Sequence, residues 1–185
     1  MGLSLINLNS NKSLERKIRK CIALLDDEYK DLNFTINFYG KREKLQKERN
    51  IKPDLKEENY LQILAGKYMT TGLTIGEKGE IKIFLFHFGN LKKKPREVIL
   101  LIGNIFHEIR HAWQFKNGLF QDENEITVID ENPKAYYRKP SEKDAYIFQE
   151  QQMKKHGGEI LEIFGFLVEG YEFELNDEIK EAIYS

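Results

Sequence analysis

The stretch from Pro95 to Gly118 constrains the fold of this chain more than any other part of the sequence. Its apolar residues recur at helical spacing, about 100° per residue, and share one broad arc. They are Val98, Leu101, Ile102, Ile105, Phe106, Ile109, Ala112 and Trp113. Pro95 suits the first turn of a helix, and Asn117 followed by Gly118 suits its end. The pattern predicts a long amphipathic helix that buries one face in a hydrophobic core.

Two histidines, His107 and His111, lie one turn apart on roughly the opposite side of this predicted helix. Imidazoles at positions i and i+4 leave the same helix face with the separation that two ligands of a single zinc ion need. Glu108 lies between them, where a carboxylate can polarise a metal-activated water, and Gly103 leaves room above the pair. The HExxH pattern also fits a surface helix with two solvated histidines. The position of the pair away from the apolar arc favours a zinc site that faces a cleft.

A catalytic zinc site needs a third protein ligand and leaves its fourth position to water. The candidates are His87, Glu142, Asp144 and His156. Glu142 opens a helix that we expect to begin at Pro140-Ser141, and it lies near the apolar arc of that helix, so it can face inward. Asp144 lies well around from that arc, and a capping box with Ser141 as N-cap already explains it. Glu142 is the favoured third ligand and Asp144 the alternative, while His87 fits a partly buried histidine at a strand end.

Strand patterns precede the central helix. Alternation of apolar and polar residues predicts a strand over 33–39. A second pair of strands, 72–76 and 80–88, flanks a three-residue turn signal and predicts a β-hairpin. After the central helix, a polar connection over 119–139 contains a possible strand at 125–129. The sequence therefore predicts a small, mostly antiparallel sheet that includes the hairpin and packs against the 96–117 helix.

Helical spacing predicts four further helices, at 13–30, 141–156, 159–168 and 177–184. Ser13 is the expected N-cap of the first, and Gly157-Gly158 is the expected end of the second. The segment 40–59 is too charged to show a clear period, and 60–68 fits a strand or a short helix. Together with the hairpin, these elements predict an α+β fold with a helical C-terminal part.

Size and composition exclude several functions. With 185 residues, 41% of them hydrophobic, a single domain over 1–185 is expected. The 29 Lys and Arg residues against 30 Asp and Glu give a net charge of -1, which offers no general attraction for nucleic acid or an anionic membrane. Cys21 is the only cysteine, so neither an intrachain disulfide nor a cysteine zinc ribbon can form. Without a signal peptide or a long apolar run, we expect a cytoplasmic protein.

The order of the motifs supports a family resemblance. The hairpin, HEIRHAWQ at 107–114, a polar connection and PSEKDAYIF at 140–148 resemble the gluzincin zinc peptidases, and within them the minimal SprT-like and IrrE-like metallopeptidases of bacteria and phages. The resemblance implies one zincin-like domain in which His107, His111 and Glu142 bind Zn²⁺. It also implies that Glu108 is the general base for hydrolysis of a protein or peptide substrate. Only the HExxH part is specific, and without a cysteine ribbon or a helix-turn-helix module the family's substrates do not transfer.

Two other functions fit the same residues. A zincin-shaped domain without catalytic activity would act as a binding module, although the intact Glu108 speaks against it. Alternatively, HEIRH is accidental and the chain is a metal-independent interaction protein. If the chain is a peptidase, Tyr136, Tyr137 and Arg138 are candidates for stabilising the oxyanion, because they lie on the connection that leads to Glu142. Aromatic packing of this connection explains the tyrosines equally well.

Overall fold

The computed structural model describes residues 2–8, 11–66, 70–123, 133–167 and 169–185. Within them the elements are β1 (Ser4–Ile6), α1 (Lys12–Ile22), α2 (Asp27–Lys30), β2 (Thr35–Phe38), α3 (Arg42–Ile51), α4 (Glu57–Ala65), β3 (Gly72–Ile75), β4 (Glu80–Ile83), α5 (Pro95–Lys116), α6 (Pro133–Tyr137), α7 (Pro140–Phe164) and α8 (Asp177–Tyr184). The expected α+β class is confirmed. The possible strand at 125–129 lies outside the described residues. Among the described helices, none has the length and apolar character needed to cross a membrane.

The four strands form one mixed sheet in the order β1-β2-β4-β3. β3 and β4 form the predicted hairpin and pair antiparallel, with Gly72 opposite Ile83. The second strand is predicted over 80–88, but β4 ends at Ile83 and a 3₁₀ turn follows it. β2, however, pairs in parallel with both β1 and β4, so the prediction of a mostly antiparallel sheet is wrong. Parallel neighbours need a crossover connection. The connection before β2 in the chain contains α1 and α2, and the connection after it contains α3 and α4. Alternation along a single strand does not reveal the direction of its neighbours.

Helix α5 is the central element of the fold. Every residue of its predicted apolar arc except Trp113 is fully buried. Its other side packs against α7, since a Cβ on Gly103 would lie 2.9 Å from Gln149 Nε2 and 3.6 Å from Met153 Cγ. The room at Gly103 is therefore filled by α7 and does not open a cleft above His107. This close packing brings the first turns of α7 beside the two histidines.

Helix α7 differs from the prediction at both ends. Lys139 is its N-cap and Pro140 its first residue, so Ser141 does not cap it. The helix also continues through Gly157 and Gly158, so the predicted stop and the separate helix at 159–168 are wrong. A Cβ on Gly157 would lie 1.9 Å from the ring of Tyr171. This glycine therefore allows close packing of the following segment and does not end the helix.

The N-terminal part contains shorter helices than predicted. The expected helix at 13–30 is two helices, α1 and α2, and Asn11 rather than Ser13 caps α1 by accepting a hydrogen bond from Leu14 N at 3.1 Å. The segments 40–59 and 60–68 contain α3 and α4. In α3 only Leu45 is buried. A helix that buries one residue needs no apolar stripe, so its charged sequence gave no helical period. The C-terminal helix, α8, has the predicted bounds.

A buried ion cluster fixes the segment between α3 and α4. Lys82 on β4 has a side chain only 1% exposed, and its Nζ lies 2.7 Å from both Glu48 Oε1 and Asp54 Oδ2. The Tyr60 hydroxyl contacts the same two carboxylates at 2.9 and 2.8 Å. A buried ammonium is tolerated only when its charge and its protons find partners. The cluster thereby ties the 52–56 segment to the sheet.

Candidate metal centre

Helices α5 and α7 bring three metal-binding side chains together. His107 and His111 lie on one face of α5, with their Nε2 atoms 3.0 Å apart. Glu142, in the first turn of α7, places Oε2 3.2 Å from His107 Nε2 and Oε1 3.4 Å from His111 Nε2. His107 and Glu142 are buried and His111 is partly buried. The three side chains form a group that could hold a metal ion.

The spacing of these donor atoms fits a small tetrahedral cation. Ligand atoms bound to zinc at about 2.0–2.1 Å lie roughly 3.3–3.4 Å apart in tetrahedral geometry. The three observed separations, 3.0, 3.2 and 3.4 Å, are close to this value. In addition, Glu142 Oε2 is buried and makes no hydrogen bond within the described part of the chain. A buried carboxylate oxygen without a partner is costly, and a bound cation would satisfy it.

The charges within the group are strongly coupled. Burial raises the pKa of Glu142, but the charge of His111 and the close approach of both imidazoles outweigh it and hold the pKa well below its usual range. Burial lowers the pKa of His111, but the Glu142 carboxylate has the stronger combined effect, and the pKa is raised to about 9. In the chain without metal, a proton therefore balances the carboxylate. Metal ligands must be deprotonated, so a cation bound by these atoms would replace that proton.

Glu108 on α5 lies beside the two histidines and contacts strand β3. Its Oε2 accepts a hydrogen bond from the Thr74 hydroxyl at 2.8 Å, and the same hydroxyl is 2.9 Å from the Glu108 carbonyl oxygen. Burial raises the pKa of Glu108, although the charges of His107 and His111 oppose this effect. The carboxylate also packs against Gly72, where a Cβ would lie 2.7 Å from Glu108 Cγ. Two residues of β3 thus fix the position of the expected general base.

The structure distinguishes the remaining candidates for the third ligand. Asp144 accepts hydrogen bonds from Arg110 Nε at 2.7 Å and Nη2 at 3.0 Å, and it does not face the histidines. His87 is partly buried as expected, but it lies in a 3₁₀ turn after β4 and not at a strand end, and its Nε2 is 2.9 Å from the Ile63 carbonyl oxygen. His156 is 14 residues after Glu142 on the same helix, about 21 Å along its axis. Of these four candidates only Glu142 lies beside the two histidines, and its role as a metal ligand stays a prediction.

Of the three candidates for oxyanion stabilisation, only Tyr136 reaches the site. Its hydroxyl donates to Glu142 Oε1 at 2.6 Å. The ring of Tyr137 instead packs against Tyr136 and Tyr146, with centroid distances of 5.8 and 5.6 Å. Arg138 Nη2 is 3.3 Å from the hydroxyl of Ser185, at the C-terminus. Tyr136 thus contacts a candidate ligand, and the other two side chains have structural contacts.

Three side chains near the histidines were missing from the sequence prediction. Thr74 binds Glu108, and the Tyr146 ring packs on the His107 ring at a centroid distance of 4.3 Å. Gln114 lies 2.8 Å from His111 Nδ1. Gln114 could have been found because residue i+3 on a helix lies beside residue i. The contacts of Thr74 and Tyr146 depend on tertiary packing, which leaves no local signal.

A cleft of about 680 Å³ opens in front of these side chains. Strand β3 lines one side, and the 119–121 segment after α5 lines another. Glu108, His111 and Glu142 all border it, so the group is accessible from the cleft.

Comparison with known protein families, curated proteins and solved structures found no match to this chain. The likeness to gluzincins therefore stays a prediction, and function must be inferred from the site.

Proposed function

We propose that this chain is a zinc-dependent peptidase. The observation that carries the proposal is the convergence of His107, His111 and Glu142 on one point beside Glu108, at the wall of an open cleft. Two imidazoles and a carboxylate are a ligand set of catalytic zinc sites, which keep a fourth position for water. A purely structural zinc site would use four protein ligands, and the described residues offer three. We propose that the described residues form one zincin-like domain, and the buried thiol of Cys21 fits a reducing cytoplasm.

The edge of the sheet supports a peptide as substrate. Phe84 N donates to Thr71 O at 2.9 Å, so Thr71 and Phe84 form a hydrogen-bonded pair of the antiparallel ladder. Pairs alternate along such a ladder, and the backbone groups of Gly72 and Thr74 are therefore directed away from β4. An extended peptide can pair with exposed groups of this kind at a strand edge. Because Gly72 and Thr74 also contact Glu108, a peptide bound there would lie next to the expected base.

Each residue of the centre has a separate role in this proposal. A zinc ion held by His107, His111 and Glu142 would supply Lewis-acid activation of water and of the peptide carbonyl. The Glu108 carboxylate accepts the proton of the attacking water and later donates it to the leaving amine. Thr74 holds the carboxylate in place through Oε2. Tyr136 donates its one hydroxyl proton to Glu142 Oε1 and orients this carboxylate, and it could stabilise a developing oxyanion only by releasing Glu142.

The test is the variant Glu108→Gln, which keeps the shape of the side chain and removes its basicity. Loss of a general base costs about 10²- to 10⁴-fold in rate, so peptide cleavage should fall by this factor while zinc content is unchanged. Both proteins, purified without a histidine tag, are incubated with a diverse peptide library, and new termini are read by mass spectrometry. Chelator and zinc add-back serve as controls. If every peptide that metal-loaded wild type cleaves is cleaved equally by the variant, or if wild type cleaves none, a catalytically inactive binding module replaces this proposal.

A further inference from the structure

The amide of Gln114 connects the candidate metal centre to an ion pair between α5 and α7. Gln114 is only 3% exposed although it is polar. Its Oε1 lies 2.8 Å from His111 Nδ1. Its Nε2 lies 2.9 Å from the carbonyl oxygen of Ser141 and 2.7 Å from Asp144 Oδ2. Every hydrogen-bonding group of this buried amide therefore faces a specific partner.

These partners allow only one orientation of the amide. The Ser141 carbonyl and the Asp144 carboxylate are acceptors, so the Gln114 NH₂ group must face them. Its oxygen then faces His111, and an oxygen can only accept. His111 Nδ1 must therefore carry the proton of this hydrogen bond. A neutral histidine with its proton on Nδ1 has its lone pair on Nε2, the nitrogen that faces Glu142 and His107, as a metal ligand requires.

An outer ion pair holds the carboxylate in turn. Arg110 donates to both oxygens of Asp144, at 2.7 and 3.0 Å, in the paired geometry that fixes a carboxylate most firmly. The guanidinium is stacked on Trp113, 4.0 Å from the ring centroid. Donors of Arg110 and Gln114 face the oxygens of Asp144, so the carboxylate is an acceptor for Gln114.

The two histidines are held in different ways. His107 Nδ1 is buried and has no hydrogen-bond partner among the described residues, and its ring packs against Tyr146. His111 has the polar chain through Gln114 to Asp144. Gln114 therefore acts on one of the two histidines, and the ring of the other is in contact with an aromatic side chain.

We propose that Gln114 is a positioning residue of the metal centre, which fixes the tautomer and the ring orientation of His111 through its amide oxygen. Arg110 and Asp144 fix the amide. The inference rests on the proposed zinc site and does not depend on peptidase activity. Removing a polar partner of a metal-binding histidine typically lowers metal affinity by about 10- to 100-fold.

The first experiment measures zinc affinity by competition with a chromophoric chelator. Gln114→Met keeps the length of the side chain and removes both the acceptor and the donors, and we expect affinity to fall by about 10- to 100-fold. Gln151→Met, at an exposed glutamine of α7, is the matched control and should bind zinc like wild type. Asp144→Ala, which removes one of the two acceptors of the Gln114 NH₂ group, should lower affinity less. Affinity of Gln114→Met within twofold of wild type would overturn the inference.

The second experiment reads the tautomer directly by NMR of protein labelled with ¹⁵N-histidine and loaded with zinc. Wild type should show a His111 Nδ1 proton that exchanges slowly with solvent, and Gln114→Met should lose this protection. If His111 ligates through Nδ1, or keeps the protected proton in Gln114→Met, the inference is wrong. The wild-type spectrum is decisive even if the variant does not fold. Zinc binding with this signature but without peptide cleavage would contradict the proposed function alone, whereas a wild type that takes up no zinc would contradict both.

Discussion

The substitution Gly72→Ala tests the position of Glu108 without altering any candidate ligand. The added Cβ would lie 2.7 Å from Glu108 Cγ, 2.8 Å from Glu108 Oε1 and 2.7 Å from Asn104 Oδ1. An ordinary van der Waals contact is at least 3.4 Å, so the Glu108 side chain must retreat by about 0.7 Å or change its rotamer. The opposing atom, Cγ, is close to the backbone, and it cannot move without carrying the carboxylate with it.

A displacement of about 1 Å of a catalytic group can cost roughly 10²-fold in rate. We therefore expect kcat of Gly72→Ala to fall by about 10²-fold while zinc stoichiometry is unchanged, measured by peptide hydrolysis and elemental analysis of the same preparation. Gly158→Ala is the matched control, because a Cβ there meets nothing within 4 Å. It lies inside α7, where alanine should stabilise the fold by about 0.5–1 kcal/mol with no loss of activity. If the kcat of Gly72→Ala equals that of wild type, Glu108 is not the general base held against β3.

Three further predictions concern other contacts. Glu142→Ala should lose zinc, whereas Asp144→Ala should still bind one equivalent at saturating zinc; elemental analysis that gave the reverse would make Asp144 the ligand. Tyr136→Phe removes the donor to Glu142 Oε1, and we expect a loss of kcat/KM of about 10-fold or more with the fold intact by circular dichroism. Burial raises the pKa of Asp54, but its hydrogen bonds with Lys82 and Tyr60 and the charge of Lys82 together outweigh this and lower the pKa. Its contribution to stability is therefore present above the unfolded pKa of about 3.9 and is lost as pH falls through the lower folded value. Urea unfolding should show that Lys82→Met lowers the free energy of unfolding by about 3 kcal/mol at pH 7. The free energy of unfolding of this variant should also fall less than that of wild type as the pH is lowered, and an equal fall would contradict this account.

The parts of the fold predicted correctly are those with a strong local signal. Helix α5 has a complete apolar arc and end signals at Pro95 and Asn117, and its bounds agree with the prediction. The choice of Glu142 over Asp144 followed from the helix arc and from a capping role for Asp144. The structure brings Glu142 to the histidines, but the capping role is wrong because Lys139 is the N-cap. Local periodicity is reliable where one element buries one face, because that face is determined by the element's own sequence.

The parts predicted wrongly depend on distant partners. Strand β1 has three residues, too few to show alternation, and its parallel pairing with β2 is determined by the intervening helices. Gly157 and Gly158 have the composition of a helix end, yet the Tyr171 ring occupies the space beside Gly157. Arg110 occupies a variable position of HExxH, and its role becomes visible only when α7 brings Asp144 next to it. These features come from tertiary packing, which overrides local preference.

Anomalous X-ray diffraction at the zinc edge, on crystals of tag-free protein grown without added chelator, tests the central claim most directly. We predict one peak within about 2.0–2.2 Å of the Nε2 atoms of His107 and His111 and of a carboxylate oxygen of Glu142. Glu108 should lie close to this peak without being a ligand. A structure of zinc-saturated protein with no peak among these three side chains, or with a peak that Glu142 does not ligate, would contradict the account.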